Sequence, residues 1–260
     1  MQRRWIHLIG LIFVFTSCRF NYSPFIVPNY QQKLNQKNLS KILDSSFENG
    51  ESTRIAFVSD VHNYYDEFKQ QINHLNNNGP YDFIIIAGDI TNLGLWEEFE
   101  QIRTMLKKLK YPFLVAIGNH DSLSNGREIY KRLFGDSEFQ FDYKDTQFIF
   151  INNNNWETPG IIPNKKNIEN LLKKSAQKNK IVIGHIPFDD RERFTISEIE
   201  DWKSFLESNN VSYFINGHNH APSEQGWGNF IQLTIGSPTQ KGLMEIIIDE
   251  ENITHRWIDY

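Results

Sequence analysis

Between residues 54 and 117, three short apolar runs alternate with two stretches of helical spacing, and this alternation restricts the folds open to the chain. Residues 54–59, 83–87 and 111–117 are too short for helices and rich in β-branched and aromatic side chains, so they read as buried strands. Between them, residues 65–75 bring Phe68, Ile72 and Leu75 to one helical face, and Asn76-Asn77-Asn78-Gly79-Pro80 ends that helix. Residues 95–109 repeat the pattern with Phe99, Ile102, Met105, Leu106 and Leu109. Strand, helix, strand, helix, strand is the order of a parallel sheet built from βαβ units.

Beyond residue 121 the order changes. Residues 127–134 predict a short helix, and 139–143 with 147–151 predict a hairpin turning at Lys144-Asp145. The run Asn152 to Asn155 reads as a loop, 164–178 as a helix, 180–183 as a buried strand, 197–208 as a helix and 211–215 as a strand. Residues 230–235, 242–248 and 253–258 read as antiparallel strands, and no internal repeat is present.

The first 50 residues have a different character. Arg3 and Arg4 precede an apolar run over 5–15, closed by Thr16-Ser17-Cys18, which is the layout of a secretory signal. The apolar run is shorter than the ~20 residues that span a bilayer. With the chain's one cysteine after the small residues, it resembles a bacterial lipoprotein signal, cut before Cys18 and acylated on it. Such signals usually carry Leu where this chain has Phe15. The resemblance implies an exported, cell-envelope lipoprotein held to a membrane through Cys18. Residues 19–50 are rich in Asn, Gln, Lys and Ser, with only Leu34, Leu39, Ile42, Leu43 and Phe47 as a weak stripe. They read as a polar tether, either a plain solvated linker, the favoured reading, or one ending in a helix that docks on the domain, leaving 51–260 as one domain. The chain's 20 Phe, 10 Tyr and 6 Trp are ample material for a large core. The formal net charge of −5 argues against a protein that binds nucleic acid by neutralising phosphates.

Five of the apolar runs end in side chains suited to a metal ion. In order these are Asp60 with His62, Asp89, Asn119 with His120, His185, and His218 with His220. Ligand sites of open α/β sheets lie beyond the carboxyl ends of strands, where all of these fall. In Asp60-x-His62 and His218-x-His220 an extended backbone would point both side chains the same way. Carboxylate and amide oxygens mixed with imidazole nitrogens suit divalent Mn, Fe or Zn. The set exceeds what one catalytic ion takes, whereas two ions ~3.5–4 Å apart would use it and could clamp a phosphoryl group.

The blocks Asp60-x-His62, Gly88-Asp89, Gly118-Asn119-His120-Asp121, His185 and Gly217-His218-x-His220 stand in the order of the calcineurin-like metallophosphoesterase signature, and the chain resembles that superfamily over most of the length after the signal. The resemblance implies a four-layer αββα sandwich, two mixed sheets flanked by helices. It also implies roles: Asp60, His62 and His220 on a first metal, Asn119, His185 and His218 on a second, and Asp89 between them. A hydroxide bridging the ions would attack a small phosphomonoester or phosphodiester, and His120 would protonate the leaving oxygen, its ring steadied by Asp121. Purple acid phosphatases carry Tyr three residues after the bridging Asp, where this chain has Asn92, so no ferric–tyrosinate chromophore is expected. A lipoprotein that kept the fold as a silent binding module is the alternative, but such a module needs no proton donor at 120. His7, His74 and His255 fall outside the pattern and read as structural. Tyr64, Tyr65 and Trp156 are candidates for the cleft wall, and Arg127, Lys131 and Arg132 read as a solvated helix face.

Overall fold

The computed structural model describes residues 23–44, 52–158, 164–249 and 252–260; the signal segment with Cys18 lies outside them. In chain order the elements are α1 (Leu34–Asp44), β1 (Thr53–Val58), α2 (Tyr65–Asn77), β2 (Phe83–Ile86), α3 (Trp96–Leu106), β3 (Phe113–Val115), α4 (Gly126–Leu133), β4 (Phe139–Tyr143) and β5 (Thr146–Phe150). They continue with α5 (Lys165–Leu172), β6 (Asn179–Ile183), α6 (Ile196–Ser208), β7 (Tyr213–Asn216), β8 (Ser223–Trp227), β9 (Phe230–Thr234), β10 (Gly242–Ile248) and β11 (Ile253–Asp259). Among the described residues no helix is long and apolar enough to cross a membrane.

The strands form two mixed sheets, ordered β11-β10-β1-β2-β3 and β4-β5-β6-β7-β9-β8. Because side chains alternate along a strand and both faces are covered, each central strand is apolar throughout and feeds two cores. In β1 and β2, Ile55, Phe57, Phe83 and Ile85 point into the space between the sheets, where they meet Phe148, Phe150, Ile181 and Ile183. Their neighbours Ala56, Val58, Ile84 and Ile86 face outward onto α2, α3 and α4 through residues such as Phe68, Phe99 and Ile129. On the far side, Ile149, Val182 and Phe214 pack on α5 and α6 through Leu172, Trp202 and Leu206. Helix, sheet, sheet, helix is the expected sandwich. At ~25 cal/mol per Å² of apolar area, three such cores supply the main force holding the layers together.

Three expectations change. The antiparallel reading holds for β10, which pairs with β1 and β11, but β9 runs parallel to β7 and antiparallel only to β8. β8, with the sequence Ser-Glu-Gln-Gly-Trp, is an exposed edge strand without apolar alternation, so periodicity gives no sign of it. Thirdly, the stretch favoured as a plain solvated linker contains α1, the docked helix of the other reading. Ile42 is buried in the core between the sheets. Asn35 is buried against edge strand β3: its Nδ2 donates to the Val115 carbonyl at 2.9 Å and its Oδ1 accepts from the Val115 N–H at 2.9 Å. One side-chain amide thus does what a further strand would do, and it closes an edge that would otherwise be open to another chain. Upstream, Gln32 N–H donates to the Arg132 carbonyl and Asn125 Nδ2 to the Phe25 carbonyl, so the chain is held to the domain well before residue 51.

Candidate metal centre

β1, β2 and β3 are mutually parallel, as are β6 and β7, so the residues following them gather at common edges of the two sheets. Asp60 and His62 follow β1, Asp89 follows β2, Asn119 and His120 follow β3, His185 follows β6, and His218 and His220 follow β7. Contacts across the two sheets lock the edges together. His185 Nδ1 lies 2.8 Å from the Ala87 carbonyl, and the His218 N–H donates to the Asp60 carboxylate at 3.1 Å.

The backbone here is not extended. Asp60, His62, Asp89, His218 and His220 have φ of 54°, 45°, 52°, 75° and 59°, in the left-handed region. The alternation expected for the two x-separated pairs therefore does not place their side chains; consecutive sharp turns do. Non-glycine residues in this region carry a cost of order 1–3 kcal/mol each, and such strain persists where surrounding packing enforces it, often at functional sites. Two glycines make the turns possible by close approach. A Cβ on Gly118 would lie 2.0 Å from Asp89 Oδ1, and one on Gly217 would lie 2.0 Å from Ser59 Oγ and 2.5 Å from Asp60 Oδ2.

The turns converge the expected side chains on one spot. Three groups have ligand atoms within 4.8 Å of one another: Asp60, His62 and His220; His62, Asp89 and His120; and Asp89, His185 and His218. Asn119 joins the last, its Oδ1 3.1 Å from His218 Nδ1. Asp89 occupies the middle. Its Oδ2 lies 3.5 Å from His62 Nε2 and 3.1 Å from His185 Nε2, while Oδ1 accepts the His120 N–H at 2.9 Å. Oδ2 therefore faces the nitrogens of both sides of the cluster.

These residues fit metal ions. His62 Nε2 and His220 Nε2 face each other at 3.1 Å, a separation that suits a hydrogen bond between them or two ligands of one ion. Atoms ~2.1 Å from a shared ion and set at tetrahedral to octahedral angles lie ~3.0–3.4 Å apart. His185 gives the same message. Because its Nδ1 faces a carbonyl, which can only accept, Nδ1 carries a proton, and in the neutral ring Nε2 would be the ligand atom. That buried Nε2 has no aligned hydrogen-bond partner although a carboxylate oxygen is 3.1 Å away. A proton on Nε2, or a metal ion in its place, would satisfy both atoms.

Without an ion, the cluster balances its charges with its own protons. Burial pushes the Asp89 carboxyl up, but His185, His62 and His120 outweigh it and hold it at about 2. Burial pushes His185 down, but Asp89 and Asp60 outweigh it and raise it to about 9. Burial pushes Asp60 up to about 7, with Asp89 adding to the rise. His62 and His218 are lowered to about 4, chiefly by burial, and so stay neutral and available as ligands near pH 7.

Asp121 does not do what the sequence suggests. It is fully buried and accepts from the Gly118 N–H at 2.9 Å, the Thr91 N–H at 2.9 Å, the Thr91 hydroxyl at 2.8 Å and the Ile90 N–H at 3.3 Å. Four donors use the carboxylate, and none comes from the His120 ring. Its work is to clamp the loop after β2 to the loop after β3. The ring is steadied instead by the Asn92 carbonyl, 2.6 Å from His120 Nδ1. A carbonyl can only accept, so Nδ1 carries a proton and Nε2 is left to face the cluster.

Sequence reading also missed Asn153. Residues Asn153 and Asn154 are buried, unlike an ordinary polar loop. Asn153 Oδ1 accepts the N–H groups of His185 and Ile186 at 3.0 and 3.1 Å, and Asn154 Nδ2 donates to the Ile117 carbonyl. Four consecutive asparagines at a strand's end were the available signal. Asp190 Oδ2, 3.5 Å from His218 Nε2, was likewise not foreseen. Of the proposed wall residues, Tyr64 sets its ring edge-on to His62 and His220, whereas Tyr65 packs on the helical core. Trp156 is exposed with the Arg193 guanidinium 4.3 Å from its ring centroid. His74 stacks on Tyr260 and His255 pairs with Glu224, both away from the cluster.

A family model described as calcineurin-like phosphoesterase matches residues 53–222. A probable cyclic nucleotide phosphodiesterase of Coxiella burnetii is 28% identical over 188 residues, covering 64% of this chain and 75% of that protein. A glycerophosphodiester phosphodiesterase of Enterobacter lignolyticus is 34% identical over 83 residues, 32% of this chain and 29% of that one. Among solved structures, a dimetal phosphatase from Danio rerio superposes with a TM-score of 0.64 at 12% identity, covering 80% of this chain and 97% of that one. A purple acid phosphatase from yellow lupin gives 0.62 at 14% identity, covering 81% of this chain and 52% of that one. At these identities the two structures share the fold.

Proposed function

Because the chain belongs to the calcineurin-like phosphoesterase family and is a metallophosphoesterase, we propose that it hydrolyses a small phosphodiester with the help of two divalent ions, outside the cytoplasm. The observation that carries the dinuclear reading is the position of Asp89 Oδ2 between His62 Nε2 and His185 Nε2, at 3.5 and 3.1 Å. Asp60, His62 and His220 would hold one ion, Asn119, His185 and His218 the other, and Asp89 both. Mn, Fe and Zn all suit this mixture of oxygen and imidazole donors. When bound, the ions would neutralise phosphoryl oxygens and furnish a nucleophile from water at neutral pH.

The chain's own contribution is position and a proton. His120, tethered at Nδ1 by the Asn92 carbonyl, keeps Nε2 free to donate to a leaving oxygen when the ring is charged. Ring centroids of His120 and His62 lie 4.6 Å apart, so the proposed donor stands beside the first ligand set. The names of the two relatives, both phosphodiesterases, favour a diester over a monoester. The signal-like residues before Cys18 favour export and a lipid anchor at that cysteine, with the domain on the periplasmic side or the cell surface.

The test compares bis(p-nitrophenyl) phosphate, p-nitrophenyl phosphate, a cyclic nucleotide and a glycerophosphodiester with Mn-loaded protein. Turnover of at least one diester above the monoester is expected. Faster turnover of the monoester would overturn the diester assignment, and bound metal without any hydrolysis would leave a binding role. Radiolabelled palmitate entering the wild-type chain, and not a Cys18→Ser variant, tests the anchor.

A further inference from the structure

At the opposite end of β3 from Asn119, α1 and the C-terminal end of α3 enclose a groove of about 640 Å³. That is within the ~300–1,000 Å³ of small-molecule sites. Leu34, Leu106, Leu109 and Phe113 give it an apolar lining. Lys37, Lys41, Arg103, Lys107 and Lys110 surround that lining, and no acidic residue contributes to it. Five cations and no carboxylate stand out in a chain of net charge −5.

The charges are also largely free. Arg103 is paired with Glu100 and Lys110 Nζ reaches the Asn76 carbonyl at 3.0 Å, but Lys37, Lys41 and Lys107 have no carboxylate partner among the described residues. Elsewhere on the surface Lys69, Lys165 and Lys173 each have one. Helix dipoles explain cations near the C-terminal ends of α1 and α3, where Lys41 and Lys107 stand. They do not explain Lys37 in the first turn of α1, where a dipole disfavours positive charge and no acidic residue offsets it. Flexible lysines above an apolar floor can lay their stems on a hydrocarbon chain and still bring the ammonium groups to an anion.

We propose that the groove between α1 and α3 binds an anionic amphiphile, its acyl chain on the Leu34–Leu106–Leu109–Phe113 floor and its headgroup among Lys37, Lys41 and Lys107. The site is separate from the metal cluster and does not depend on the hydrolytic reading.

Calorimetric titration of the full chain, carrying Cys18→Ser to keep it unacylated, tests this with octanoate, octanol and acetate as probes. Saturable one-to-one binding of octanoate is expected, at least tenfold tighter than octanol or acetate. Lys37→Glu with Lys107→Glu should abolish it and leave metal binding at the cluster unchanged; Lys37→Gln with Lys107→Gln, a milder pair, should weaken it at least fivefold. Octanol binding as tightly as octanoate, undiminished octanoate binding in both double variants, or no octanoate binding at all would each overturn the proposal.

Discussion

His120 Nδ1 lies 2.6 Å from the main-chain carbonyl of Asn92, so the proposed proton donor is oriented by backbone and not by the carboxylate beside it in sequence. A main-chain holder has consequences for mutation. Removing the Asn92 side chain leaves the carbonyl in place, and Asn92→Ala should keep kcat within a few-fold of wild type. His120→Ala, by contrast, should lose ~10²–10⁴ in kcat, the usual worth of a positioned acid, while metal content stays unchanged. Steady-state kinetics beside elemental analysis separates the two effects.

Asp89 should be the residue on which metal loading depends most. Its Oδ2 is shared between the His62 and His185 sides of the cluster, so Asp89→Ala removes a ligand from both at once. The variant should retain less than one metal equivalent where the wild type is expected to hold two. The thermal shift caused by EDTA in the wild type should disappear in the variant, because ligand binding stabilises only a state that binds.

Gly118 tests the close approach. Alanine there would place a Cβ 2.0 Å from Asp89 Oδ1 and 2.2 Å from Asp89 N, and the obstacle is partly backbone that cannot rotate away. Overpacking of this kind costs ~1–3 kcal/mol. Gly118→Ala should therefore lower the urea midpoint and reduce metal occupancy together. A variant that binds two metals with wild-type stability would contradict the geometry.

Asn35 tests whether α1 is part of the domain. In Asn35→Ala the Val115 carbonyl still receives the Tyr130 hydroxyl at 2.6 Å, but the Val115 N–H loses its acceptor. One orphaned buried donor costs ~1–3 kcal/mol, which urea denaturation can measure. The m-value should remain that of a single cooperative unit. Loss of stability below half a kcal/mol would return α1 to the status of a tether.

The sandwich class and the residues that cluster at the strand ends were legible because each is a local signal. A buried strand announces itself as an apolar run, and the polar residue after it falls at the strand's end whatever the sheet order. Asp60, His62, Asp89, Asn119, His120, His185, His218 and His220 were found in this way, and the structure gathers them in one cluster. What failed were inferences from adjacency. Asp121 stands next to His120 in sequence, yet its carboxylate turns to Gly118, Ile90 and Thr91. Asn35 is 80 residues from the backbone groups that it satisfies. β8 carries no apolar pattern and exists because β9 offers it an edge.

The amino-acid order by itself determined which strands are buried, where polar residues interrupt them and what chemistry those residues can do. Tertiary structure alone decided which nitrogen meets which oxygen. Distances of 3 Å between loops more than 100 residues apart, such as His62 and His220, depend on sheet register, left-handed turns and glycines that admit a neighbouring carboxylate. Those are properties of packed backbones, and no local run of sequence contains them.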